Sequence, residues 1–148
     1  MNRLYLDNCC YNRPYDDQTQ IRISLEAQAK LYVQDMIRDG KLELVSSYML
    51  LSENSRNPYD TTRKVIERFL EEHTSIFIDE TFSEAAEEKA LQIMATGVKP
   101  ADAIHIACAM IAECDYFLTT DDRLLKYGTP ELQILNPFDF LAHWRDMR

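Results

Sequence analysis

The stretch from Pro100 to about Glu113 constrains the fold of this chain more than any other. Ala101, Ala103, Ile104, Ile106, Ala107, Cys108, Ala109, Met110, Ile111 and Ala112 leave it almost no polar face. Pro100 suits the first position of a helix. A helix that is apolar nearly all round must be covered nearly all round, so this one is predicted to be the most buried helix of the molecule. Its cover is legible elsewhere in the chain. Leu4-Tyr5-Leu6, Leu42-Glu43-Leu44-Val45, Ile76-Phe77-Ile78, Tyr116-Phe117-Leu118 and Leu132-Gln133-Ile134-Leu135 are apolar runs of strand length.

Helical spacing fills the gaps between these runs. From about Thr19 to Arg38, Ile21, Leu25, Ala29, Tyr32, Val33 and Met36 recur at helical intervals, with Gly40 as the stop. Ser46-Ser47 offer N-caps to a short helix from Tyr48 to about Ser55. After Asn57-Pro58, Val65, Ile66, Phe69 and Leu70 mark a further helix. Thr81-Phe82-Ser83-Glu84 has capping-box form and opens a helix bearing Ala86, Ala90, Ile93 and Met94, which Gly97 closes. Pro137 begins the last, with Phe138, Phe140, Leu141 and Trp144. Short apolar strands alternating with helices specify a parallel sheet covered on both faces, so the predicted fold class is α/β, a three-layer α/β/α sandwich with a central parallel sheet. The pattern leaves the strand order open.

The 148 residues suit a single domain spanning residues 1–148. Such a domain buries roughly 68–70% of the surface its unfolded chain exposes, enough for a core without disulfides or a structural metal. With 46% apolar residues the chain is too hydrophobic to stay disordered. No apolar run approaches the ~18 residues of a membrane span, which excludes an integral membrane protein. The opening Met1-Asn2-Arg3-Leu4-Tyr5-Leu6-Asp7 reaches an acid too soon for a secretory leader, so a cytoplasmic protein is expected. Cys9, Cys10, Cys108 and Cys114 form no C-x-x-C pair, and His73, His105 and His143 are scattered. That pattern argues against zinc and predicts small buried hydrophobes in a reducing compartment. With 16 Lys+Arg against 25 Asp+Glu, the net charge of −9 argues against indiscriminate binding along nucleic acid, and leaves room for a site that is basic locally.

The acids carry the functional argument. In an open parallel sheet, ligands bind at the carboxyl ends of the strands. Asp7 ends the first strand and Asp121 lies just past the fourth, in Leu118-Thr119-Thr120-Asp121-Asp122. Asp102 stands in the first turn of the apolar helix, and Glu53 on the short helix leaving the second strand. Each has an ordinary use as well: Asp7 as a strand terminator, Asp102 as a first-turn charge, Glu53 as a solvated acid and Asp121 as a turn cap. Asp102 is the hardest to explain away, because it sits with His105 at i+3 among residues that want burial. Four converging carboxylates would raise one another's pKa unless a cation lay among them. Oxygen ligands select Mg²⁺ or Mn²⁺ over zinc, and Mg²⁺ is commonly completed by substrate phosphate. Such a site suits phosphodiester hydrolysis. Phosphate-binding candidates lie beside each acid, namely Arg13, Arg56, Lys99, Arg123 and Lys126.

At these residues the chain resembles the PIN-domain family and, within it, the small toxin-like ribonucleases of the VapC type. The matching pieces are Leu4-Tyr5-Leu6-Asp7, Leu50-Leu51-Ser52-Glu53, Pro100-Ala101-Asp102-Ala103-Ile104-His105-Ile106-Ala107-Cys108-Ala109 and Phe117-Leu118-Thr119-Thr120-Asp121. The resemblance runs on to Asn136-Pro137-Phe138-Asp139-Phe140. It implies that Asp7, Glu53, Asp102 and Asp121 are the catalytic, metal-binding acids. Thr119 would then help order the site and His105 would pack behind Asp102. It further implies Mg²⁺ or Mn²⁺ as cofactor, RNA as substrate, a homodimer, and a cognate antitoxin as partner. Asn8 stands where such toxins usually carry a small hydroxyl, and the Cys9–Asp17 loop looks like that of a distinct PIN subgroup. Asp122 competes with Asp121 for the fourth acid, and spacing after Thr119 favours Asp121.

Two other readings compete. A receiver-like Mg²⁺-binding signalling domain would use Asp79 as phosphate acceptor, but Asp7-Asn8 is a poor acidic pair. A PIN fold kept for RNA binding without turnover would use Tyr11, Tyr15 and Tyr59 to stack on bases.

Overall fold

A computed structural model describes residues 2–146. The elements run β1 (Asn2–Leu6), α1 (Asn8–Asn12), α2 (Ile21–Arg38), β2 (Leu42–Ser47), α3 (Tyr48–Ser55), α4 (Asp60–His73) and β3 (Thr74–Ile78). They continue α5 (Ser83–Met94), α6 (Pro100–Ile111), β4 (Tyr116–Leu118), α7 (Asp122–Leu125), β5 (Gln133–Leu135) and α8 (Pro137–Asp146). All strand pairs are parallel, in the order β3-β2-β1-β4-β5.

Side chains alternate across a strand, and the two cores follow that period. Leu4, Leu6, Leu42, Leu44, Tyr116 and Leu118 face one way, onto Tyr11 of α1, Val33 and Ile37 of α2, Phe69 of α4 and Phe140 of α8. Tyr5, Val45 and Phe117 face the other way, onto Ala86 and Ile93 of α5 and Ala103, Ile106 and Ala107 of α6. This is the predicted three-layer α/β/α sandwich. Ala103, His105, Ile106, Ala107, Cys108 and Ala109 of α6 are buried, as its apolar circumference requires. No described helix is long and apolar enough to cross a membrane.

Three local expectations are corrected. The first part of the Cys9–Asp17 loop is a helical turn, α1, because the Asp7 side chain accepts from the Asn8 N–H and starts it. The capping box at Thr81 does not form: Phe82 precedes α5 with no side-chain cap, and Asp79 instead accepts from the Thr81 N–H to open a 3₁₀ turn at Glu80–Phe82. Tyr11 is only 1% exposed, so it belongs to the core and cannot stack on a base, whereas Tyr15 and Tyr59 are exposed.

The topology fixes where a ligand can enter. From β1 the chain steps outward through β2 to β3, then returns to the opposite side for β4 and β5. The switch point therefore lies between β1 and β4, with Asp7 following one strand and Thr119 the other. β3 is an edge strand with β2 between it and β1. Asp79 thus stands two strands away from Asp7, roughly 10 Å at ordinary strand spacing, which removes the basis for the receiver-like reading.

Candidate active site

Asp7 is 6% exposed at the mouth of the switch point. Its Oδ1 accepts from the Asn8 N–H at 2.9 Å. Its Oδ2 accepts from the Thr119 hydroxyl at 2.9 Å and from the Cys9 thiol at 3.4 Å. The neighbouring strand is locked to it, since the Asp7 N–H donates to the Leu118 carbonyl at 2.9 Å. A carboxylate offers about four acceptor positions, so three donors hold it in place and leave room for one more partner.

Thr119 couples this carboxylate to the next. Its hydroxyl oxygen accepts from the Asp121 N–H at 3.1 Å while its proton goes to Asp7. Asp121 itself caps α7, accepting from the Arg123 N–H at 2.9 Å. The ordinary role of a turn cap and a place beside Asp7 and Asp102 are thus compatible in one residue. Asp122 points elsewhere: its two oxygens take both Nη groups of Arg22, at 2.9 and 2.7 Å.

Glu53, partly buried on α3, is held from the opposite face of the sheet. His105 donates or accepts between Tyr5 and Glu53, its Nδ1 lying 2.6 Å from the Tyr5 hydroxyl and its Nε2 2.5 Å from Glu53 Oε1. The Tyr5 hydroxyl also lies 2.6 Å from Ser47 Oγ. His105 is fully buried. Burial pulls its pKa down, but the bond to Glu53 and the charges of Asp7, Glu53 and Asp102 raise it overall. The sequence places His105 behind Asp102; the hydrogen bond shows that its ring orients Glu53.

Asp102 lies among these groups. Burial raises its pKa, the charges of Asp7 and Asp121 raise it further, His105 pulls it back, and Glu53 adds to the rise. Asp102 is therefore acted on by carboxylates from three other stretches of chain. Among the described residues, no three His, Cys, Asp or Glu side chains already stand at the separations of a complete metal cage. The donor set is nevertheless of the hard oxygen type that suits Mg²⁺ or Mn²⁺. Mg²⁺ needs only one or two carboxylates, with waters and substrate oxygens supplying the rest. The carboxylates around Asp102 disfavour its charged form, a cost that a cation would relieve, and the chemistry of these oxygen donors fits such an ion.

The five cations singled out in the sequence are placed differently. Arg13 is tied to Glu26 at 3.0 Å and to Asp16 at 3.1 Å, joining the first loop to α2. Arg56 donates to Ser52 Oγ at 3.0 Å. Lys99, Arg123 and Lys126 line a cavity of about 360 Å³ that Asp102 shares. Asn8 accepts from the Asn12 amide through its carbonyl at 3.1 Å and its side-chain oxygen at 3.3 Å, bracing α1 rather than touching Asp7 with its side chain.

Sequence reasoning missed Tyr5, Ser47, Cys9 and Arg22. Cys9 departs from the buried-hydrophobe expectation that holds for Cys10, Cys108 and Cys114: it is partly exposed and its sulfur touches Asp7, the Thr119 hydroxyl at 3.5 Å and the Thr120 N–H at 3.3 Å. Its position two residues beyond Asp7 was the available signal. Tyr5→Phe is expected to lower stability by about 1–2 kcal/mol, because it leaves the buried His105 Nδ1 without a partner and takes one of two from the Ser47 hydroxyl, which keeps the Leu50 N–H. Urea unfolding of both proteins measures this, and an unchanged midpoint would mean that the pair finds other partners.

No curated protein matches the chain. A chain of the crystal structure of FitAcB from Neisseria gonorrhoeae aligns with a TM-score of 0.52 and 16% identity, over 91% of this chain and 98% of that one, which shows a shared fold. The sequence profile of the PIN domain matches residues 16–130, most of the chain, and that match settles the family: the chain belongs to the PIN-domain family.

Proposed function

We propose that the protein is a metal-dependent endoribonuclease that hydrolyses RNA phosphodiester bonds, with Asp7, Glu53, Asp102 and Asp121 as its catalytic acids. The observation that carries this reading is that Asp7, Asp121 and Glu53 all act electrostatically on Asp102 at the carboxyl ends of β1 and β4. Uncompensated, such a cluster opposes an anionic substrate, so the arrangement makes sense for phosphodiester chemistry only with a divalent cation.

The four acids would hold Mg²⁺ or Mn²⁺, which when bound supplies Lewis-acid stabilisation of charge on the phosphorus oxygens and a water made more acidic. The chain does the positioning. Thr119, Cys9 and the Asn8 N–H fix the Asp7 carboxylate, while His105, braced by Tyr5, fixes Glu53. Restraint of this kind lowers the reorganisation needed at the transition state. In the overall reaction water adds to phosphorus, one P–O bond of the backbone breaks, and the departing oxygen leaves with a proton.

We extend the proposal to the cellular role implied by the VapC-type resemblance: the toxin of a toxin–antitoxin pair, a homodimer inhibited by a cognate antitoxin protein. The chemical core is tested with a single-stranded RNA of mixed sequence. Cleavage is expected with Mn²⁺ or Mg²⁺, absent with EDTA and restored when the ion is returned. RNA binding with no cleavage under any divalent ion would leave a PIN fold used for binding alone.

A further inference from the structure

Three cations without an ion pair are gathered in one place among the described residues. Most of its cations are consumed internally: Arg3 pairs with Glu43, Arg38 with Asp35, Arg63 and Lys64 with Asp60, Arg68 with Glu72, and Lys89 with Glu131. Arg22 is divided between Glu26 and Asp122. Lys99, Arg123 and Lys126 are exposed and, among the described residues, none has a carboxylate within the 4.0 Å of an ion pair. They come from two separate segments, the turn before α6 and the region of α7, and line the same cavity as Asp102.

Three unpaired cations gathered on a chain of net charge −9 mark a place for an anion. The rest of the wall says what the anion is attached to. Tyr127 and Val98, both partly buried, add a ring and an apolar surface. Gly97, at φ +102°, turns the chain between α5 and α6, and a Cβ there would meet nothing within 4 Å, so the backbone of this part of the wall is open to a ligand. At about 360 Å³ the cavity lies near the small end of ligand sites, suited to one nucleotide and too small for a base pair.

We infer that this cavity seats one unpaired nucleotide of the RNA strand next to the cleaved bond, with its phosphate on Lys99, Arg123 and Lys126 and its base against Tyr127. The inference rests on the ribonuclease reading for its place in the reaction, but not for binding itself. Because three cations outnumber the Asp102 carboxylate in the cavity lining and the ring belongs to the cavity too, a free nucleoside 5′-monophosphate should enter without metal or turnover. Uridine 5′-monophosphate and inorganic phosphate are therefore titrated into the full chain in EDTA, followed by amide shifts in ¹H–¹⁵N NMR.

Saturable shifts are expected at Gly97, Lys99, Arg123, Lys126 and Gly128, with phosphate binding about tenfold more weakly for want of stacking. The double variant Arg123→Ala/Lys126→Ala should raise the nucleotide Kd about tenfold or more. Tyr127→Ala should abolish the advantage of nucleotide over phosphate, and Tyr127→Phe should keep it, which separates loss of the ring from loss of structure. With RNA and Mn²⁺, the loss in the double variant should fall mainly on KM. Nucleotide binding in this cavity by a protein that cleaves no RNA would defeat the nuclease reading and leave the seat standing. Cleavage by a double variant with wild-type Kd and KM would defeat the seat and leave the nuclease reading standing.

Discussion

Asp7→Asn is expected to lower Mn²⁺-dependent RNA cleavage about a thousandfold or more, equivalent to about 4 kcal/mol of transition-state stabilisation, while the far-UV CD spectrum stays unchanged. The substitution is nearly isosteric. The remaining carbonyl oxygen can still accept from the Asn8 N–H that starts α1, and the Thr119 hydroxyl and Cys9 thiol can reorient toward the new amide. What is lost is the negative charge, at the least exposed of the four clustered acids, where a neutral amide is a much poorer partner for a divalent ion. Asp102→Asn should behave alike, because Asp102 shares the same charge cluster. Cleavage above about a tenth of wild type in both variants would remove these acids from the chemistry.

The layers of the fold were legible because they depend on pattern. Period-two alternation in Leu4-Tyr5-Leu6 sends Tyr5 to the α6 side and its neighbours to the other, and the apolar circumference of α6 requires cover on both flanks. The acids were legible as residues at strand and helix ends. Their company was not. Nothing in sequence spacing pairs Tyr5 with Ser47 and His105, or His105 with Glu53, since those contacts cross from strand to strand and helix to helix. The short helices α1 and α7 also escaped, because five and four residues are too few to show a helical period. Each exists because an aspartate at its start accepts a backbone N–H. Strand order stayed open for a related reason: all five runs are short and largely apolar, and nothing in their pattern says which neighbours which.

Lys30→Met is expected to stabilise the protein by about 2 kcal/mol at pH 7 and to change how stability depends on pH. Lys30 is 5% exposed on α2, beneath the rings of Tyr11 and Phe69, with its Nζ 5.3 and 5.9 Å from the ring centres. Gln34 Oε1 accepts from it. Among the described residues no carboxylate forms an ion pair with it, and Cys10 and Arg38 act on it electrostatically. Burial pulls its pKa from the ordinary 10.5 down to about 8, partly offset by Cys10 and reinforced by Arg38. Between those values the unfolded chain holds a proton that the folded chain has released, so the lysine's contribution to stability rises with pH there and is fully unfavourable below about pH 8. At about 1.4 kcal/mol per tenfold, the penalty at pH 7 is about 3 kcal/mol, and about 1 kcal/mol is returned for the Gln34 bond that Met cannot make. By pH 9.5 the penalty has fallen to about 1 kcal/mol, close to the worth of the Gln34 bond, and the advantage of Met should have largely vanished. Cys108, pushed up to about 11, and Cys114, up to about 12, titrate in the opposite sense, so the wild-type profile alone would mask the lysine. Both thiols are common to the two proteins, and the difference in urea-unfolding free energy at pH 7 and pH 9.5 isolates Lys30. A gap that stays constant between those pH values would mean that the amine is not desolvated in the folded protein.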